Sequence, residues 1–399
     1  MKPPQPAPRL STAPLLFHCA AALTAMACLL ASPARAADAP PRLAPAVQPF
    51  VEAGTLAGAV MLVAGPDKVL AVESAGWADL AARRPMSADA VFWIASQSKP
   101  MTAAAFMVLV DEGRVRLDDP VEKYLPEFHG QMVQVERDDE HALLRRPVHP
   151  ITVREVLSHT SGLPFASAME QPTLDGLPLR DAVGSYAMSP LQFQPGTKYQ
   201  YSNAGINTAG RIIEVLSGMP YERFMSERLF QPLGMTETTF WPDEALSARI
   251  AKSYKPDAAK TALEATTISQ LHYPLSDHAV RYPMPAGGLF STAADTARFC
   301  RMILNGGTLD GRRVLSEAAV RELTSRQTGP DLKDSYGLGF AVGPDWCGHG
   351  GAQATNMKID RAHNLVTVWM VQHVGYPGNG GAAQDAFNRA VAAAFIPPH

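Results

Sequence analysis

Apolar residues alternate or run together at the two ends of the chain and follow a helical period between them. Residues 56–65 (LAGAVMLVAG) and 68–76 (KVLAVESAG) are β-prone runs on either side of Pro66-Asp67, which predicts a hairpin. A short helix over 43–54 is expected ahead of them. A third run, Val91 to Ala95, leads into Ser96-Gln97-Ser98-Lys99. Apolar positions that include Met107, Val108 and Val110 then predict a helix from about Ser98 to Asp111, stopped by Gly113. From Leu117 to Met284 proline-punctuated loops alternate with helical patterns at 151–158, 204–217 and 220–230. Strand-like alternation is scarce there, and polar 136–147 reads as a solvated excursion. Strand signals return at 335–343, 346–352, 354–360 and 365–374, with Arg361 to Asn364 as a turn. An amphipathic pattern at 384–395 predicts a closing helix.

Strands at both ends and helices between them predict an α/β layer plus an all-α region. The layer takes about 40–118 and 285–399, and the helical insertion about 119–284. The seam between the two suits a ligand cleft.

The first 36 residues fall outside that plan. Lys2 and Arg9 precede an apolar stretch from Ala13 to Leu30, and Ala34-Arg35-Ala36 offers a small-x-small cleavage site before Ala37. This is the pattern of a secretory signal peptide, so residues 37–399 are expected as an exported, periplasmic or secreted chain. A retained membrane anchor is the alternative. A lipoprotein site at Cys28 fits less well, because Ala25 stands where leucine is usual.

At 399 residues and 46% hydrophobic, the chain can bury a large core. A net charge of −3 gives no basic field for nucleic acid or an anionic membrane. Two cysteines leave with the signal; Cys300 and Cys347 remain, expected as buried free thiols although the sequence does not say whether they meet.

Three clusters carry candidate chemistry. In Ser96-x-x-Lys99 both side chains share a face on a helical turn whose unpaired N–H groups favour negative charge. A serine hydroxyl is a weak nucleophile until a base takes its proton, and a lysine serves once burial lowers its pKa. The competing reading is a helix N-cap, and chance placement of 22 serines and 10 lysines produces such a match easily. Tyr201-Ser202-Asn203 lies in a loop after Pro195-Gly196, just before a helix. There Tyr201 could relay a proton and Asn203 hold a substrate amide, or Asn203 could cap the helix with Tyr201 packed beneath it. His349-Gly350-Gly351 sits in a candidate strand where glycines let a substrate backbone approach. The Ala352 N–H would then join that of Ser96 as an oxyanion hole. Two further stretches read as structural. His159 and Ser161 look like chain-turning residues before Gly162, and Gly287-Gly288 precedes Thr292-x-x-Asp295, a capping box.

The order Ser96-x-x-Lys99, Tyr201-x-Asn203, His349-x-Gly351, with WIASQSKPMTAAA, LVDEGRVRLDDPVEKYLP, VLSHTSGLPF and PAGGLFSTAADTARF around it, resembles the serine β-lactamase family. The resemblance is to the branch of class C β-lactamases, DD-peptidases, D-aminopeptidases and related esterases, and it covers nearly all of 37–399. It implies an antiparallel sheet flanked by helices. It also implies attack by Ser96 on an ester or amide carbonyl, an acyl-enzyme that water hydrolyses, and acid/base work shared by Lys99 and Tyr201. Asn203 would bind substrate, and His349 would shape the electrostatics beside Tyr201. No metal or organic cofactor is implied.

The departure is His349, where class C β-lactamases usually carry lysine; histidine holds a substrate carboxylate less well near neutrality. The expected function is therefore an exported serine hydrolase cleaving a small ester or amide. The alternatives are a β-lactamase, a penicillin-binding sensor with little turnover, and a silent binding protein on the same scaffold. The expected partner is a small-molecule or peptide substrate, with neither nucleic acid nor stable membrane insertion after signal cleavage. Oligomeric state is left open.

Overall fold

The computed structural model of the protein describes residues 42–397. The candidate signal peptide and its cleavage site lie outside the described residues. Helix α1 (Ala44–Glu52) leads into β1 (Gly58–Ala64), β2 (Val69–Asp79) and β3 (Arg84–Pro85). Helix α2 (Ser98–Asp111) follows the Ser96 turn, α3 (Asn203–Ser217) lies in the insertion, and α4 (Ala293–Leu304) returns to the sheet. Strands β4 (Ala341–Val342), β5 (Trp346–Gly350), β6 (Asn356–Asp360) and β7 (Leu365–Met370) precede α5 (Ala383–Phe395).

The two ends combine in one seven-stranded antiparallel sheet of order β4-β5-β6-β7-β1-β2-β3. Period-2 alternation explains how β1 is buried throughout. Val60, Leu62 and Ala64 join the larger core with α4, while Ala59, Met61 and Val63 pack into a second core under α1 and α5. Strand β7 and the residue after it divide the same way, with Val366, Val368 and Met370 against Leu365, Trp369 and Val371.

Several sequence expectations need correction. The run 335–343 is not a continuous strand: Gly339 at φ +72° turns the chain, leaving only Ala341–Val342 in the sheet and a bridge from Tyr336 to Ala341. The insertion holds two hairpins, Val133–Arg137 with Ala142–Arg145 and Ser253–Pro256 with Leu263–Thr266. The first overlaps the polar stretch 136–147 expected as an excursion, and it is largely solvent-exposed. Val91–Ala95 does not extend the large sheet, since Phe92–Trp93 pairs with Phe290–Ser291 instead. At Thr292 only half of a capping box forms. Thr292 Oγ1 accepts from the Asp295 N–H at 3.2 Å, but the Asp295 carboxylate turns to the Glu237 N–H and the Thr238 hydroxyl. The reciprocal box occurs at Thr152 and Glu155.

Cys300 and Cys347 are buried and free, and burial raises both thiol pKa values, Cys347 to about 12. Among the described residues no helix is long and apolar enough to cross a membrane.

Candidate active site

The Ser96 turn is built before the helix begins. Ala95 sits at φ +46°, a left-handed conformation that costs an L-residue roughly 1–3 kcal/mol and persists only where neighbours hold it. Those neighbours are close: Ile94 donates to the Leu289 carbonyl at 3.0 Å, and Gln97 to the Ile94 carbonyl at 3.1 Å. Neither serine caps α2 through its side chain, because the N-cap is Gln97, with no side-chain hydrogen bond. Ser98 Oγ turns back to donate to the Ala95 carbonyl (2.6 Å) and accepts from the Leu289 N–H (3.2 Å). Ser96, half-exposed, is the hydroxyl left facing Lys99, whose Nζ is 3.0 Å from Ser96 Oγ and 2.7 Å from the Ala286 carbonyl oxygen.

Lys99 is fully buried, and burial holds its pKa well below the ordinary 10.5. Once deprotonated, it gives one N–H to Ala286 and keeps a lone pair for the Ser96 proton. This state has a stability signature. Between the depressed native value and 10.5 the unfolded chain binds one more proton at this site than the native one, so stability rises with pH. Lys99→Met is expected to be more stable than the wild type at pH 7, with that advantage shrinking by about 1.4 kcal/mol per pH unit. Denaturant unfolding of both proteins at pH 7, 8 and 9 checks it; a constant difference would mean that Lys99 is charged in the fold.

Tyr201 is set by a loop docked on the segment 159–165. Gln200 N–H donates to the His159 carbonyl at 2.9 Å, Ser202 N–H to His159 Nδ1 at 3.2 Å, and Ser202 Oγ to the Pro164 carbonyl at 2.6 Å. Ser202, rather than Asn203, is the N-cap of α3, taking the Gly205 N–H at 3.0 Å. Among the described residues the Asn203 side chain makes no hydrogen bond, although Asn203 is buried. The Tyr201 ring centroid lies 4.6 Å from Lys99 Nζ. Burial raises the Tyr201 phenol pKa, opposed in part by its interaction with Ser96, so the phenol is neutral.

The third cluster arrives on β5. A side chain at Gly351 would meet Thr355 Oγ1 at 2.1 Å and the Ile94 carbonyl at 2.6 Å, so glycine lets this strand end close on the residue two before Ser96. Among the described residues neither the Ser96 nor the Ala352 N–H donates to the protein. His349 Nδ1–H donates to the Gly350 carbonyl at 2.7 Å, which leaves Nε2 to accept from the Tyr336 hydroxyl at 3.0 Å. Burial, then the Lys99 amine, push the His349 pKa down to about 3, so the ring is neutral at working pH.

Tyr336, His159, Asn207 and Ala286 are the contributors that spacing did not flag. His159 does turn the chain, at φ +61°, and its ring also packs 4.6 Å from that of Tyr201 and 4.7 Å from that of Tyr336. Asn207 had a signal: it lies one helical turn after Asn203, a second amide on the same face of α3.

The β-lactamase family model matches residues 43–393. The chain belongs to the β-lactamase family. Protein Rv1367c of Mycobacterium tuberculosis is 32% identical over 387 residues, covering 87% of this chain and 93% of that protein. Esterase EstB of Burkholderia gladioli is 30% identical over 382 residues, covering 84% and 91%. The fold is that of simvastatin synthase (LovD) from Aspergillus terreus, with a TM-score of 0.75 at 20% identity over 89% of this chain and 98% of that one. This β-lactamase-family chain is a serine hydrolase, and the family's chemistry proceeds through an acyl-enzyme.

Proposed function

We propose that the protein is an esterase-type hydrolase that acylates Ser96 with small esters carrying no free carboxylate beside the scissile bond. The observation that carries this reading is the neutral His349, placed where a β-lactamase would present a cation to a substrate carboxylate. Phe165, 47% exposed, stacks near Tyr201 and adds apolar surface for an acyl group. The likeness to EstB, an esterase by name, supports the same choice.

In this mechanism Lys99 takes the Ser96 proton as Oγ forms its bond to the carbonyl carbon. The N–H groups of Ser96 and Ala352 receive the oxyanion, and Asn203 holds a polar group of the substrate. The C–O bond to the alcohol then breaks, and the proton on Lys99 reaches the leaving oxygen through the Tyr201 hydroxyl. Water repeats the sequence in reverse and frees Ser96.

Intact-mass measurements during incubation with p-nitrophenyl butyrate, a D-alanyl-D-alanine peptide and a penicillin test the reading. A transient acyl adduct with the ester, and little with the two carboxylate substrates, is expected. Rapid penicillin turnover would replace it with a β-lactamase, and a stable penicilloyl adduct with a sensor. On the ester, kcat/KM is expected to reach its plateau well below pH 10.5. It falls on the acid side, as protonation removes the Lys99 lone pair. A profile that rises only toward pH 10 would mean that Lys99 keeps its proton through neutral pH.

We also propose export with cleavage before Ala37, on the strength of Lys2, Arg9, the apolar 13–30 and Ala34-Arg35-Ala36. N-terminal sequencing of the protein from a native-like host tests this: an unprocessed Met1 in the cytoplasm would reject it.

A further inference from the structure

Lys99 can act on Ser96 only if its N–H groups are held elsewhere. The group that holds one is the carbonyl of Ala286, in a tight turn whose Gly287 and Gly288 amides both return to the Met284 carbonyl. Three side chains from the Ser96 side pin this turn: Thr102 donates to the Pro285 carbonyl at 2.8 Å, Trp93 Nε1 donates to the Gly287 carbonyl at 2.7 Å, and Ser98 Oγ accepts from the Leu289 N–H. From the insertion comes one side chain, Asn207, whose Oδ1 accepts the Ala286 N–H at 3.0 Å.

The direction of that amide is imposed from behind. Buried Glu170 accepts the Tyr186 hydroxyl at 2.6 Å and the Ser167 N–H at 2.7 Å. The Tyr186 proton is therefore spent, and its oxygen accepts from Asn207 Nδ2 at 3.0 Å. Asn207 must point its own oxygen at Ala286. Asn207, Tyr186 and Glu170 are all at most 2% exposed, so water does not offer an alternative partner.

We propose that Asn207 is a positioning residue for the general base. Through a one-way chain from Glu170 by way of Tyr186, its amide fixes the Ala286 peptide, whose carbonyl takes a Lys99 N–H and leaves the amine lone pair on Ser96. This rests on the hydrolase reading above. His159, Tyr201 and His349 are the titratable groups set about Lys99, and none of them touches this chain of hydrogen bonds.

The test uses the full mature protein and p-nitrophenyl butyrate. Asn207→Leu is expected to slow acylation about 10–100-fold, the usual cost of losing a group that orients a reacting one. KM should change little, and the acid limb of the kcat/KM profile should move. Asn207→Asp should fail as well, because Tyr186 then faces two acceptors with one proton. Adding Glu170→Gln to Asn207→Asp supplies an N–H to the Tyr186 oxygen and frees the phenol proton for the carboxylate introduced on α3, so the double variant is expected to recover most of the rate. A folded Asn207→Leu with a wild-type pH profile overturns the proposal. So does a double variant no faster than Asn207→Asp, which decides the matter even if the leucine variant fails to fold. Failure of the hydrolase reading looks different, since the wild type itself would then form no Ser96 adduct.

Discussion

Ser96→Ala is expected to form no acyl adduct and to lose at least about 10⁴-fold in ester turnover, while Ser98→Ala still forms the adduct and loses far less turnover. A single residue separates the two serines, but the turn gives them opposite tasks. Ser96 is half-exposed with Oγ 3.0 Å from Lys99, whereas Ser98 is fully buried and ties the Ala95 carbonyl to the Leu289 amide. Removing Ser98 Oγ leaves the Leu289 N–H without its partner, while the Ala95 carbonyl keeps the Ser98 N–H, for a cost of about 1–3 kcal/mol in stability. Burst kinetics, intact mass and peptide mapping separate the two variants. If Ser98→Ala is the inactive one, the nucleophile has been misassigned, and the Lys99 geometry with it.

The largest stability effect is expected at Asp175 and Arg281. This pair is 2.7 Å apart with both side chains almost wholly buried. Arg281 also donates to the carbonyls of Phe240 and Leu275, and Asp175 accepts the His272 N–H at 2.9 Å. These bonds bind three loops of the insertion together. Asp175→Ala leaves a guanidinium buried without its counter-charge, and should cost about 3–5 kcal/mol in denaturant unfolding. Replacing both partners with apolar residues of similar size should cost less than either single change, because no orphan charge remains. The exposed Lys255–Glu264 pair is the control, expected within about 1 kcal/mol of neutral. Equal losses at the two pairs would mean that water reaches Arg281.

The elements legible in the sequence were those with strong periodicity. Strands β1 and β7 each divide two faces by alternation, and the pattern over 204–217 became Asn203–Ser217. The spacing of serine, tyrosine and histidine clusters was legible because each occupies a single turn or strand end. What escaped was set by contacts across the sequence. The 335–343 run alternates like a strand, yet Gly339 turns it, and that turn lets Tyr336 reach His349. His159 looked like a turn residue, and it is one. Its second role, packing against Tyr201, depends on a docking of loops that no local pattern encodes. The hairpin at Val133–Arg137 lay hidden because its apolar alternation stops after Val133-Gln134-Val135 and gives way to a charged run.

The buried Lys99, its pKa held well below the ordinary value, also shapes how this chain can change over generations. A library enriched only for heat resistance near neutral pH is expected to replace position 99 with an apolar residue early, and its survivors would be inert. Selection for turnover retains the lysine and must find its tolerance to heat at other positions. The two pressures diverge at a single codon, so a lineage that sheds lysine there has ceased to be selected for hydrolysis.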